Sequence, residues 1–400
     1  MNPDKKLPVI NLMGKRTFDN DATVLSPAGM AEPLEVMAQK MPMSRLKANY
    51  DSIVRMRGIY YPVAYQFSRL LGEGRQGKVF LGQRQGARGC ITEHAVKIMT
   101  PDLYRSSEEY WTDMGRIAFQ ISRLQRLRSP HIVMSHAYDE AQGIGYTQME
   151  AINGVDLRRF LSRDMLDYAK SRCTQREWHK FTQNIFNVNP NRMSVQPGVV
   201  VHILRGILRG LECLHSEHFL HSDVKPGNIM IDRLGYVKLV DFGRAVVLGE
   251  RQSFLMGSPM YMAPEMHRRE ETTIQSDLYS AGLVGLELLR GERLIPDDET
   301  TEEDLLAVKM NLHEQLPSLL PSNVLVNEEL VAILRKFIHP DPARRYAAAK
   351  DAEIGPDGLL IIGRQLVHAG LDTEYERDLA EYLSKFMDSR TERIELPPAQ

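Results

Sequence analysis

The chain has 400 residues, 43% hydrophobic and 26% charged, with a formal net charge of −2 at pH 7. At about 100 to 200 residues per domain this length suits a two-lobed fold with extensions, and the balanced charge implies no nucleic-acid partner. No run approaches the roughly 20 apolar residues that span a bilayer, the opening "MNPDKKLPVINLMGKRTF" lacks an apolar signal core, and Cys90, Cys173 and Cys213 form no C-x-x-C pair, so a soluble cytoplasmic chain with reduced, packing cysteines is expected.

Residues 1 to about 60 are mixed and polar, with a short helix broken at Pro42 expected near the end of that stretch. From Tyr65, "YQFSRLLGEGRQGKVFLGQRQ" and "EHAVKIM" carry the β-branched and aromatic residues of strands, separated by glycine-rich turns. "SSEEYWTDMGRIAFQISRLQRLRSP" opens on serine and acidic residues, spaces Ile117, Ile121 and Leu124 for one helix face, and ends at a proline. Glu108 and Glu109 fit its first turn, where the helix dipole favours negative charge.

Beyond Glu150 the chain turns helical, with "GVVVHILRGILRGLECLHS" and "SDLYSAGLVGLELLRG" apolar enough for buried helices. Residues 163 to 198 are polar with scattered aromatics and look like an insertion with its own short helix. In the tail, "DTEYERDLAEYLSKFMDS" sets Tyr375, Leu379, Tyr382, Leu383 and Phe386 on one amphipathic face. The insertion and the tail are each a candidate surface for a partner or for extra packing.

Chemistry begins at "LLGEGRQGKV", where Gly72, Gly74 and Gly77 form G-x-G-x-x-G. Glycines there let backbone N–H groups approach phosphate oxygens. A dinucleotide site would run straight into a helix; strand-like "KVFLGQ" follows instead, which favours a hairpin lid over a nucleotide. In "HAVKIM", Lys97 sits in an apolar strand, where an unpaired ammonium is costly to bury. Beside a glycine loop it is suited to hold nucleotide phosphates.

"HSDVKPGNIMID" and "VKLVDFGRA" complete the set. Asp223 can orient a hydroxyl and accept its proton, Lys225 can neutralise a phosphoryl group in transfer, and Asn228 and Asp241 offer hard oxygen ligands to Mg²⁺. His215, His218 and His221 recur every third residue, a pattern that fits structural imidazoles at a helix end and loop better than a metal site, which also needs supporting partners. In this order, after a glycine loop and a strand lysine, the residues resemble the eukaryotic-like (Hanks-type) protein kinase family over about residues 65 to 354.

That resemblance implies an α+β, bilobal kinase-like fold, with a small β-rich lobe over 65–150, a larger helical lobe over 151–354, an extension over 1–64 and a helical tail over 355–400. ATP and Mg²⁺ follow as cofactors, and protein Ser/Thr hydroxyls as substrates. Leu71 and Val79 with Ala95 and Met230 would enclose the adenine, Met149 would be the gatekeeper, and Glu150, Ala151 and Ile152 the hinge. "GSPMYMAPE" resembles the substrate loop, with Ser258 meeting the catalytic Asp. Glu265 would pair with Arg345, and Asp277 would hold the catalytic loop's backbone. Lys225 together with this loop is similar to the serine/threonine-specific pattern.

Two positions depart from the family. Ser222 stands where an Arg usually precedes the catalytic Asp, so nothing cationic is there to hold an activation-loop phosphate. Activity independent of such phosphorylation, including at Ser253, is the expectation. Gln120 aligns with the glutamate that usually pairs the strand lysine; Asp113, seven residues earlier on nearly the same face, is the alternative partner for Lys97. These departures leave a nucleotide-binding pseudokinase as a competing reading, and a small-molecule phosphotransferase as a third that has no need of the substrate loop.

Overall fold

The structure is a computed structural model that describes residues 41–189, 192–249, 257–294, 301–368, 374–387 and 393–394. Strands β1 (Gly58–Ile59), β2 (Tyr65–Gly74), β3 (Gly77–Gln85), β4 (Ile91–Met99), β5 (Ser135–Ala141) and β6 (Ile144–Glu150) form one sheet, in the order β1-β2-β3-β4-β6-β5. Every pairing in it is antiparallel. Strand alternation explains β4: Val96 and Ile98 are fully buried in the small lobe's core, while Ala95 and Lys97 point to the opposite face.

Helix α1 (Met43–Met56) buries Leu46, Tyr50 and Ile53 in that same core. It starts directly after Pro42, where proline is tolerated because a helix's first residues do not need its missing N–H, and the stretch of the expected helix before residue 41 lies outside the described residues. The part of the extension that the structure describes is thus built into the small lobe. Helix α2 (Ser107–Leu124) is capped by the Ser106 side chain, which accepts from the Glu109 N–H, with Glu108 and Glu109 in its first turn. It turns Tyr110, Met114, Ile117, Gln120, Ile121 and Leu124 inward.

The larger lobe follows the short strand β7 (Gly154–Asp156). The insertion holds more than the expected short helix. It contains α3 (Arg163–Arg172), α4 (Gln175–Asn184) and an antiparallel hairpin of β8 (Phe186–Asn189) with β9 (Arg192–Val195). Phe186 faces Val195 across it and Val188 faces Met193, the alternation of a half-buried ribbon. Helix α5 (Pro197–His215) and helix α6 (Ile274–Arg290) are buried on most sides and form the middle of the lobe. Between them come β10 (Phe219–Leu220), β11 (Ile229–Asp232), β12 (Val237–Leu239) and β13 (Val246–Val247); β12, β11 and β7 make a three-stranded sheet, and β10 pairs with β13. Helices α7 (Glu302–Leu319) and α8 (Glu328–Phe337) follow.

The tail helix α9 (Tyr375–Ser384) returns to the insertion. Its Tyr382 ring meets Phe160, Phe181, Phe186 and Phe386 at centroid distances of 5.1 to 5.9 Å. Ion pairs Lys180–Asp378 (2.8 Å), Lys180–Glu381 (2.6 Å) and Lys385–Glu177 (2.5 Å) rim this contact. Insertion and tail bury part of each other's apolar faces, the contact that the packing alternative expects. Among the described residues no helix is long and apolar enough to cross a membrane. Cys90 is exposed, against the expectation of a packing residue, because it follows the surface turn Ala87–Gly89, while Cys173 and Cys213 are half-buried.

Tyr382 is fully buried, yet its hydroxyl finds no hydrogen-bond partner among the described residues. Tyr382→Ala is expected to lower stability by about 3 to 5 kcal/mol through the cavity it leaves. Tyr382→Phe removes an unsatisfied group and is expected to be neutral or to gain about 1 kcal/mol. Urea melts of both variants check this; a marked loss in Tyr382→Phe would show that the hydroxyl is satisfied after all.

Candidate active site

The segment between β10 and β11 carries His221, Ser222, Asp223, Lys225 and Asn228, and a single buried carboxylate holds it. Asp277, on the first turn of α6, accepts from the backbone N–H of His221 (2.8 Å) and of Ser222 (2.9 Å), and His215 Nε2 lies 2.9 Å from it. Burial pushes the Asp277 carboxyl up, but His215, His221 and these N–H groups outweigh it and hold the group below the usual aspartate range. His221 is itself fixed, with Nε2 3.2 Å from Val240 O and Nδ1 accepting from Asp223 N at 3.3 Å. Ser222 adopts left-handed backbone (φ 61°), and its hydroxyl is buried without a partner among the described residues.

Asp223 emerges from this anchored loop as a point of convergence. Its Oδ2 accepts from Lys225 Nζ (2.7 Å) and Asn228 Nδ2 (3.0 Å), and its Oδ1 accepts from Ser258 Oγ (2.9 Å). Lys225 Nζ also donates to Ser258 Oγ at 2.8 Å, and Arg244 Nη1 lies 3.8 Å from Asp223 Oδ1. Ser258 is held from the loop that ends in Glu265, whose carboxylate makes a buried two-pronged pair with Arg345 at 2.7 and 2.8 Å, as expected from the sequence. Beside Ser258 lies a groove lined by Arg158, Met260, Tyr261 and Glu287.

Across the cleft, Lys97 Nζ donates to Asp241 Oδ1 (2.5 Å) and to Gln76 Oε1 (2.7 Å). The atoms packed around Asp241 disfavour its charge, but the Lys97 ammonium and the Gly243 N–H prevail and hold its carboxyl below the usual range. Asp241 itself takes left-handed backbone at φ 63°, a conformation that costs energy and recurs at functional sites. In the glycine loop only Gly77 is required by the protein's own packing: it has φ +138°, and a Cβ there would lie 1.9 Å from Ile98 O. A Cβ on Gly72 or Gly74 would meet no protein atom within 4 Å. The fold leaves those two positions bare, as a phosphate cradle needs.

The expected Lys97–Gln120 bond is not formed, and Gln120 does not contact the strand lysine; Lys97 is bonded to Gln76 and Asp241 instead. Its amide Nε2 donates to the Ala245 carbonyl, and its Oε1 is buried without a partner among the described residues. Asp113 is not the partner either; it accepts from Tyr104 Oη (2.6 Å) and Arg116 Nε (2.7 Å). Arg116 then donates to Gly243 O (3.1 Å) and Ala245 O (3.4 Å). Helix α2 thus grips the backbone that follows Asp241 and leaves Lys97 to Gln76 and Asp241. A carboxylate at position 120 would face a carbonyl oxygen there, which is a physical reason for an amide.

The residues expected around a nucleotide base flank this cleft. Leu71 is 40% exposed on β2 next to Gly72, which faces Val79 on β3. Ala95 lies opposite Met149 in the sheet, and Lys97 opposite Val79 and Thr147. Glu150 ends β6 and binds Lys238 Nζ at 2.6 Å, Ile152 follows it half-buried, and Met230 lies on β11 opposite Lys238. Three participants were missed from sequence: Gln76, Arg116 and Arg244. Arg116 had a usable signal, since it lies one helical turn before Gln120 on the same face; Gln76 and Arg244 had none beyond adjacency to a motif.

Comparison with known proteins agrees with this geometry. The protein kinase domain family matches residues 65–353. The chain is 28% identical over 295 residues to the serine/threonine-protein kinase PrkC of Bacillus subtilis, covering 72% of this chain and 39% of that protein. It is 28% identical over 305 residues to the serine/threonine-protein kinase PknD of Mycobacterium tuberculosis, and 25% identical over 323 residues to ribosomal protein S6 kinase alpha-1 of Rattus norvegicus. These matches cover 75% and 80% of this chain, and about two fifths of the length of each relative. With the glycine loop, strand lysine, anchored catalytic loop and Glu265–Arg345 pair all in place, and with the family matched over most of its length, the chain belongs to the protein kinase family.

Proposed function

We propose that the chain is a serine/threonine protein kinase that transfers the γ-phosphate of Mg·ATP to hydroxyls of protein substrates. The observation that carries this reading is the convergence of Lys225, Asn228 and Ser258 on the Asp223 carboxylate, on a loop tied down by Asp277. Asp223 is placed to orient the acceptor hydroxyl and take its proton. In this reading Lys225 neutralises the charge of the phosphoryl group in transfer, and Ser258, bonded to both Asp223 and Lys225, keeps them in register. Lys97 and the bare Gly72 and Gly74 backbone are suited to the phosphates.

The donor set also fits Mg²⁺. The Asn228 NH₂ is committed to Asp223, which leaves its oxygen, and Asp241 Oδ1 is committed to Lys97, which leaves Oδ2. These are two hard oxygens of the kind magnesium takes alongside phosphates and water. Held by Asn228 and Asp241, the ion would supply positive charge against the phosphates.

Independence from activation-loop phosphorylation is part of the proposal. Its support is Ser222: the position before Asp223 carries no cation, yet Asp277 holds the catalytic loop's backbone and the Glu265–Arg345 pair ties down the end of the substrate loop. Ser253 lies outside the described residues. The second reading, a nucleotide-binding pseudokinase, is favoured by one observation, the absence of any α2 carboxylate on Lys97 among the described residues.

Transfer of labelled γ-phosphate from Mg·ATP to a Ser/Thr protein substrate tests the assignment. Asp223→Ala is expected to lower the rate by at least about a hundredfold, the usual scale for losing a positioned base, and Ser253→Ala to keep most of it. Nucleotide-dependent stabilisation without transfer would establish the pseudokinase instead. Among α2 variants, Arg116→Ala is expected to lower kcat by about tenfold, the equivalent of roughly 1.4 kcal/mol. Gln120→Glu is expected not to raise kcat and to lose about 1 to 3 kcal/mol of stability, because its carboxylate would face Ala245 O. A gain of activity in Gln120→Glu would contradict this geometry.

A further inference from the structure

Helix α7 buries Leu305, Lys309, Leu312 and Leu316 on one face, so a lysine occupies an apolar stripe. Lys309 is 0% exposed. A buried ammonium is tolerated only when its hydrogens are all satisfied, and here three acceptors meet its three donors. Nζ lies 2.5 Å from Pro259 O, 2.8 Å from Met262 O and 2.9 Å from His267 Nε2. His267 in turn presents Nδ1 to Glu302 Oε1 at 3.3 Å, and Arg269 pairs with the other Glu302 oxygen at 3.1 Å.

Pro259 and Met262 bracket the part of the substrate loop that displays Met260 and Tyr261 to the groove, one residue after Ser258. Within that loop Tyr261 N donates to Ser258 O, Ser280 Oγ donates to Tyr261 O at 2.7 Å, and Tyr261 Oη donates to Glu287 at 2.6 Å. Lys309 is the group that ties both ends of this turn to α7. It touches neither Asp223 nor Lys97, so its influence reaches the reaction through the loop alone.

We propose that Lys309 is a positioning residue for the protein substrate, its ammonium holding the carbonyls of Pro259 and Met262 so that the turn between them presents a fixed docking face beside Ser258. The proposal rests on the kinase reading above. It also makes docking sensitive to pH. Burial drives the Lys309 ammonium down to about 7, against the pull of Glu265 and Glu302. The other titratable groups facing it are His267, which is held below the usual histidine range by burial and by Lys309 itself, and Tyr279, whose hydroxyl reaches Lys309 O at 3.5 Å. Glu265 is committed to Arg345. A group whose folded pKa is depressed in this way loses its proton as pH rises through about 7, and the loop then loses one of its donors.

Steady-state kinetics with dephosphorylated casein and Mg·ATP test this. Lys309→Met is expected to raise KM for casein about tenfold, the scale of one charge-assisted hydrogen bond, with KM for Mg·ATP within about twofold. An unchanged KM for casein overturns the proposal, and so does an equal rise in both KM values, which would assign Lys309 to general stability. Should Lys309→Met fail to fold, the unsubstituted protein still decides: KM for casein is expected to rise severalfold between pH 6 and 9 while KM for Mg·ATP stays level, and Lys309→Arg, charged throughout, to flatten the profile. A level casein KM in the unsubstituted protein overturns the proposal. Absence of any transfer by the unsubstituted protein would overturn the kinase reading itself, and this proposal with it.

Discussion

The site depends first on one buried carboxylate. Asp277 takes the N–H groups of His221 and Ser222, two donors that a left-handed turn at Ser222 would otherwise leave facing the core. Leaving a buried donor unsatisfied costs about 1 to 3 kcal/mol, and leaving a buried charge unpaired costs more, so carboxylate and loop stabilise each other. The sign with pH follows from the direction of the shift: Asp277 is held below the usual range, so its contribution is full at neutral pH and fades as pH falls through its folded value, below about 4. Asp223 inherits much of its placement from this anchorage, because two of its partners, Lys225 and Asn228, ride on the same loop, while Ser258 reaches it from the substrate loop.

The two lobes use different means to fix their halves of the site. The larger lobe uses buried ion pairs and N–H acceptors, Asp277 with the loop and Glu265 with Arg345. In the small lobe, helix α2 reaches the segment after Asp241 through side-chain donors on backbone carbonyls: Arg116 on Gly243 and Ala245, and Gln120 on Ala245. Tyr104 and Asp113 stand behind Arg116 and fix its guanidinium. A carbonyl accepts from a neutral amide as well as from a cation, if less strongly. That is why the glutamine that looks like a defect in the sequence is consistent with an ordered site in the structure.

Much of this was legible in the sequence, and the part that was not has a common cause. The glycine loop, Lys97, Asp223, Lys225, Asn228 and Asp241 could be placed because their chemistry is carried by residue types at short spacings. The Glu265–Arg345 pair, 80 residues apart, came from resemblance and not from spacing. Residue 120 was identified, but its partner was not, since a backbone carbonyl such as Ala245 O leaves no mark on the sequence. The β8–β9 hairpin was overlooked inside a polar stretch although Phe186, Val188, Met193 and Val195 alternate as a ribbon should. Lys309 had a signal as well, a lysine in line with Leu305, Leu312 and Leu316, but only the fold shows which carbonyls it meets.

The most direct test of the account is calorimetric titration of Mg·ATP into an Asp277→Asn variant, alongside its turnover. Asparagine keeps the shape but offers an NH₂ to one of the two backbone donors, so the loop loses its anchor while the glycine loop and Lys97 are untouched. The account predicts nucleotide affinity within about threefold of the unsubstituted protein and a kcat lower by at least about a hundredfold, a loss confined to the transition state. A variant that turns over normally, or that loses nucleotide binding as fully as turnover, would contradict it.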